Sequence, residues 1–238
     1  MTSPPLRYRA YDWRGGKEWL AEMGAGPLIL IAPPLLEEMN RCRAFLVAIM
    51  RHLAEAGFRP VLPDLPGTGE STRELSEVDW ADWSAVASSL AGELKTGTQT
   101  PLMASFRGGC LLDGALDTPA RWRFAPADGL ALTRDLVRAR QAASPDKLRA
   151  ESIVEQARDA ACEFAGYLVP PGLFAGLHDA RLGELPGTRT VRLSSDPATA
   201  ELKVEGRPLW RQSEPGTDPA LSRRLAADIA QWARACAA

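Results

Sequence analysis

Residues 103–112 read MASFRGGCLL, an order that suits a strand running into a sharp glycine-rich turn and then a helix. A G-x-S-x-G nucleophile elbow is built this way, with its serine presented at the tip of the turn. The frame here is Ser105-Phe106-Arg107-Gly108-Gly109, so a serine replaces the first glycine and an arginine takes the nucleophile's place. Moving the frame by one residue centres Phe106, which supports no chemistry. Ser105 as nucleophile would put Met103 and Arg107 where a tight elbow wants small residues. A Ser–His–Asp site also needs an acid after a late strand and, later in the chain, a histidine before the final helix. Asp196, in LSSDPAT, has the acid's place, but the only histidines, His52 and His178, lie elsewhere. With no histidine to orient, Asp196 reads as a loop cap. Glu214, in WRQSEPG, falls near the base's position and has three readings: a partner for Arg107, an unusual base, or a solvated loop glutamate. An arginine at the head of a helix under a lid binds anions such as carboxylates, phosphates or acidic sugars. An internal glutamate would compete for it.

The elements that must position these residues follow from hydrophobic periodicity. PLILIAP, residues 27–33, is a short apolar run bounded by Gly and Pro, as expected of a strand buried on both faces. CRAFLVAIMRHLAEAGF then places Phe45, Ile49, Leu53 and Ala56 on one helical face, with Gly57 as its stop. RPVLPDL is the next strand, DLPGTGES a turn, VDWADWSAVASSLAGEL a second amphipathic helix, and TPLMAS a third strand. This alternation implies right-handed crossovers and a mostly parallel, doubly wound α/β sheet. RWRFAPADG suggests a further strand. A charged helical stretch without strands follows, read as a lid inserted at about residues 130–169 of a single domain spanning 1–238. TRTVRLSSDP returns to the core, and Leu221, Leu225, Ile229 and Trp232 form the stripe of a closing helix.

The chain has 238 residues and a formal net charge of -2, with no basic stripe, which argues against a nucleic-acid partner. Its longest apolar run, GPLILIAPPLL, is too short and too proline-broken for stable membrane insertion, and the first residues carry no apolar leader core, so a cytoplasmic setting is expected. Cys42, Cys110, Cys162 and Cys236 are scattered without metal-ligand spacing. Zinc is not expected, nor any other metal or cofactor. The cysteines read as reduced, mostly buried residues, with Cys110 of interest because it lies just past the elbow.

DLPGTGES, followed by an elbow-like turn after the next strand, resembles the α/β-hydrolase fold over nearly the whole chain. PPLLEEMNRCRAF, EFAGYLVPPGLFAGLHDARL and RPLWRQSEPGTDPAL together resemble the exosortase A system-associated hydrolase 2 group, whose elbow often carries arginine at its centre. The resemblance implies a hydrolase-like protein with a degenerate triad that serves exopolysaccharide or exosortase-linked processes. In active relatives the loop after the first apolar strand supplies an oxyanion-hole amide. Here it carries Glu37, Glu38, Asn40 and Arg41, and two adjacent acids oppose a developing oxyanion. Those carboxylates either pair with Arg107 or belong to a helix N-terminus, whose dipole favours acids. The expected ligand-contacting set is Arg107, Glu37, Glu38, Asn40, Arg41 and Trp210, holding a small anionic or acylated metabolite. The alternative is an active hydrolase or acyltransferase of ester or acyl substrates with a non-standard site, drawing on Ser105 or Cys110, Glu214, Asp196 and the paired acids. Self-association stays open.

Overall fold

The computed structural model describes residues 4–94, 101–115, 118, 120–144 and 148–236. The strand expected from Thr100 and the middle of the expected lid, residues 145–147, therefore begin or lie outside the described residues. Ten strands and six α-helices follow one another as β1 (Arg7–Trp13), β2 (Gly16–Glu22), β3 (Leu28–Ala32), α1 (Glu37–Glu55), β4 (Arg59–Pro63), α2 (Trp80–Leu94), β5 (Leu102–Phe106), β6 (Arg121–Phe124), α3 (Gly129–Ala143), α4 (Ala150–Asp159), β7 (Cys162–Phe164), β8 (Tyr167–Val169), α5 (Pro171–Asp179), β9 (Thr188–Leu193), β10 (Leu202–Val204) and α6 (Pro219–Cys236). Eight strands form one sheet in the order β1-β2-β4-β3-β5-β6-β9-β10, with β7 and β8 a separate pair. From β4 to β10 every neighbouring pair is parallel; β1 and β2 attach antiparallel at one edge.

Side-chain alternation along the central strands builds two cores. Ile29 and Ile31 of β3 join Ala104 and Phe106 of β5 on the α1 and α6 face, while Leu30, Ala32 and Met103 join the α2, α3 and α5 face. A strand buried on both sides must be apolar throughout, which is why LILIA carries no polar residue. Helix α1 buries Cys42, Phe45, Leu46, Ile49 and Leu53 along one stripe. It stops where Gly57 turns to φ 89°.

Four features depart from the sequence expectations. The N-terminal residues form the β1–β2 hairpin, joined by the two-residue loop Arg14-Gly15. Helix α1 begins at Glu37, so the four residues Glu37, Glu38, Asn40 and Arg41 sit in its first turns and not on a loop. The described residues directly after the elbow form no α-helix: 107–111 and 113–115 make only 3₁₀ turns, so Arg107 does not stand at an α-helix N-terminus. The charged segment after β6 is not strand-free, since Cys162–Phe164 and Tyr167–Val169 pair around Ala165 (φ 51°) and Gly166 (φ 86°). Two successive left-handed residues are what a two-residue hairpin of matching twist needs. This excursion from the sheet runs on past Val169 through α5.

Candidate functional site

At the end of β5 the backbone turns through Arg107 with φ 54°, a left-handed conformation unusual for a residue with a β-carbon. Gly109 makes the turn sterically feasible: a Cβ there would lie 2.3 Å from the Pro33 carbonyl oxygen and 2.5 Å from that of Ala32. The strand therefore projects one side chain from its tip, and that side chain is a guanidinium. Ser105, two residues earlier, is fully buried with no hydrogen-bond partner for its hydroxyl.

Arg107 is only 9% exposed, and its fork is occupied. Nε donates to Glu38 Oε1 at 3.2 Å and Oε2 at 3.3 Å, Nη2 to Oε1 at 2.8 Å, and Nη1 to the Ala125 carbonyl at 3.0 Å. The guanidinium also lies over the Trp210 ring, 4.5 Å from its centroid. Burial pushes the Glu38 carboxyl upward, against the pull of Arg107. Trp210 packs edge-on against Phe124, which joins Phe106 and Trp122, so the arginine is backed by an aromatic column reaching into the core.

Above this pair opens a cleft of about 440 Å³, a volume in the range of small-molecule sites. Leu35, Leu36, Leu132, Leu136, Leu177 and Trp210 supply its apolar wall, and Arg41, Arg138 and Arg211 its cations. Glu38 lines the cleft; Arg107 lies behind it. Arg41 pairs with Glu37 and donates to the Trp210 carbonyl, and Arg138 reaches Asp135 at 3.4 Å. Arg211 is exposed.

Glu38, Arg107, Trp210, Arg41 and Glu37 are thus brought together. Asn40 is exposed and lies beside Tyr167 of the hairpin, outside the cleft lining. Glu214 is exposed and is not the partner of Arg107, because the loop that carries it turns into solvent while the first turn of α1 faces the elbow. Asp196 accepts from Arg192 Nη1 at 2.7 Å and from the Ala198 amide at 3.0 Å, an ion pair and loop cap at the end of β9. His52 lies 3.3 Å from Glu55 on α1, and His178 meets Thr133 at 2.9 Å and stacks on Phe174. Neither histidine lines the cleft. Cys110 is buried, and burial pushes its thiol up, away from the reactive thiolate. Beside it lies a second buried ion pair that sequence reading missed: Arg123 donates to both Asp113 oxygens at 2.7 Å. Two arginines in the otherwise apolar RWRF strand were its only signal. Among the described residues no group of three or more His, Cys, Asp or Glu is placed to hold a metal ion, and no helix is long and apolar enough to cross a membrane.

No protein-family model matches the chain, and no curated protein matches it. Solved structures do. The thioesterase domain from the curacin biosynthetic pathway aligns over 95% of this chain and 98% of its own, with TM-score 0.52 and 17% identity. Two laboratory-evolved variants of potato epoxide hydrolase align over 97% of this chain and 99% of theirs, with TM-scores of 0.55 and 0.56 at 15% and 14% identity. The chain has the α/β-hydrolase fold. In an α/β-hydrolase fold the nucleophile stands at the strained turn after the central strand, with its triad partners following in chain order. Arg107 occupies that turn.

Proposed function

We propose that this α/β-hydrolase-like protein has a degenerate triad and binds a small anionic or acylated metabolite in its cleft without Ser–His–Asp turnover. The observation that carries the reading is the guanidinium at the elbow, tied to Glu38 behind a cleft that neither His52 nor His178 lines. The segments resembling the exosortase-associated group support a place in exopolysaccharide or exosortase-linked processes, in the cytoplasm. Residues of α3 and Leu177 of α5 line the cleft opposite α1, which supports the reading of the inserted segment, about residues 130–169, as a lid. The cleft's composition supports the ligand class: leucines and a tryptophan for an apolar portion, and the exposed Arg211 with the Arg107 guanidinium behind the cleft for an acid, Arg41 and Arg138 being engaged with Glu37 and Asp135.

Two measurements test this. A fluorophosphonate probe leaves the protein unmodified at the elbow, since the Ser105 hydroxyl has no base beside it to raise its nucleophilicity; labelling at Ser105 that disappears in Ser105→Ala would establish an active hydrolase or acyltransferase instead. A thermal-shift screen of acidic sugars, nucleotide sugars and acyl carboxylates yields a stabilising ligand. A screen empty across all three classes removes the binding reading.

A further inference from the structure

The Arg107–Glu38 pair is embedded in unusual backbone. Four described residues other than glycine have positive φ, and three of them belong to this pair's surroundings: Arg107 itself, Ala125 (φ 45°), whose carbonyl accepts from Nη1, and Leu36 (φ 52°), which precedes the first turn of α1 two residues before Glu38. Backbone of this kind persists only where its surroundings over-determine it, and it gathers at ligand clamps and switches. The pair itself is a poor way to fill space, because desolvating two charges offsets their attraction and an apolar pair of similar volume stabilises at least as well. Strain and a buried ion pair at the same spot are therefore not explained by stability.

Their placement suggests an exchange. The carboxylate of Glu38 lies between Arg107 and the cleft, and it takes the Nε–Nη2 edge of the fork in the way an incoming acid would. Trp210 and the Ala125 carbonyl hold the rest of the guanidinium, so turning the Glu38 side chain aside is enough to present that edge to the cleft. The displaced carboxylate has Arg41 within electrostatic reach, with Asp135 acting against it. Leu132, Leu136 and Ala139 of α3, spaced by four and three residues, line the approach as one apolar stripe.

Resting on the reading that the cleft holds an anionic or acylated metabolite, we propose that Glu38 is an internal stand-in for the ligand's acid: a fatty carboxylate enters along Leu132 and Leu136, displaces Glu38, and takes the Nε–Nη2 edge of Arg107. Glu38 then sets the affinity, because a ligand that binds only the opened form has its affinity reduced by the fraction of molecules that are open.

Dodecanoate, with dodecan-1-ol as the uncharged control, titrated calorimetrically into wild type, Glu38→Gln and Arg107→Leu, tests the exchange. Glu38→Gln should bind dodecanoate at least tenfold tighter than wild type, since the competing charge is gone. Arg107→Leu should bind it at least tenfold more weakly, and dodecan-1-ol should not distinguish the three proteins. Should Arg107→Leu not fold, Arg107→Lys serves in its place, as a point charge cannot offer the planar fork. Equal dodecanoate affinity in wild type and Glu38→Gln overturns the exchange and leaves cleft binding standing. Undiminished binding in the Arg107 variant also overturns it, by placing the acid at the margin with Arg138 and Arg211. No binding of dodecanoate to any of the proteins overturns it too, and the broader reading falls only if the ligand screen is empty as well.

Discussion

At the scale of single residues, the site is governed by what one buried charge does to another. Arg107 and Glu38 have side chains 11% and 13% exposed, so neither can fall back on water if its partner is lost. Breaking a buried pair from one side typically costs about 3–5 kcal/mol, whereas replacing both partners with apolar groups is often neutral. Arg107→Leu alone should lower the melting temperature by roughly 10 °C, at the 2–4 °C per kcal/mol typical of a chain this size. Arg107→Leu combined with Glu38→Leu should recover most of that loss. Calorimetry of the two single variants and the double variant gives the coupling directly, and additive losses would mean the pair is not coupled. The pair was only half visible beforehand: two glycines after Arg107 placed it at the elbow, but Glu37, Glu38 and Glu214 were all eligible partners. Glu38 is 69 positions away in sequence, and nothing local distinguishes it from its neighbour.

At the scale of elements, the elbow depends on how closely β5 can approach the end of β3. Gly108 and Gly109 look alike in sequence and are not alike in space. A Cβ on Gly109 would meet backbone oxygens that cannot retreat, while one on Gly108 would meet side-chain atoms, Leu132 Cδ1 at 2.6 Å and Leu35 Cγ at 2.9 Å. Gly109→Ala should cost at least ~2 kcal/mol, above the usual range for a surface change, and Gly108→Ala distinctly less. Denaturant titration of both variants checks the order, and equal losses would show that the approach of β3 is not the constraint. Helix α6 is anchored to the sheet through Asp228, which accepts from Trp122 Nε1 at 2.7 Å and from Arg189 Nε and Nη2 at 2.9 and 2.7 Å. Burial raises its carboxyl, but the bonds from Arg189 and Trp122 outweigh that and leave it below the ordinary value. A carboxyl lowered in the folded state contributes stability above its unfolded value of about 3.9, and loses it as pH falls through the folded one. Asp228→Asn should therefore be less stable than wild type near neutrality, and the difference should begin to narrow below about pH 4 and go on closing as pH falls through the folded value. A gap at pH 3 as large as that at pH 7 would mean that packing, not charge, carries the anchor.

At the scale of the whole molecule, the cleft lies between α1 with the Trp210 turn on one side and α3 with α5 on the other, so a ligand bridges sheet-side and inserted elements. Hydrogen exchange in residues 129–179 should slow when the best ligand from the screen is saturating, while the β1–β2 hairpin at the far sheet edge stays unchanged. Protection confined to other segments would place the ligand elsewhere. The core elements β3, α1, β4, α2, β5, β6, β9 and α6 were legible in the chain, because burial on one or two faces imposes a period that a short window displays, whereas the short β10 was not expected and the helix expected after the elbow is replaced by 3₁₀ turns. The arginine at the centre of the elbow was legible for a similar local reason, the spacing of two glycines. The two hairpins were missed although RGG and AG mark their turns, since short alternating runs at a sheet edge, as in β1–β2, or in a separate pair, as in β7–β8, carry little hydrophobic signal. Only the tertiary structure decided that Glu38 and not Glu214 meets Arg107, that Arg123 meets Asp113, and that the elbow's guanidinium is closed rather than open. Ion pairing depends on distances between distant segments, and these exist only once the sheet has aligned the ends of β3, β5 and β6.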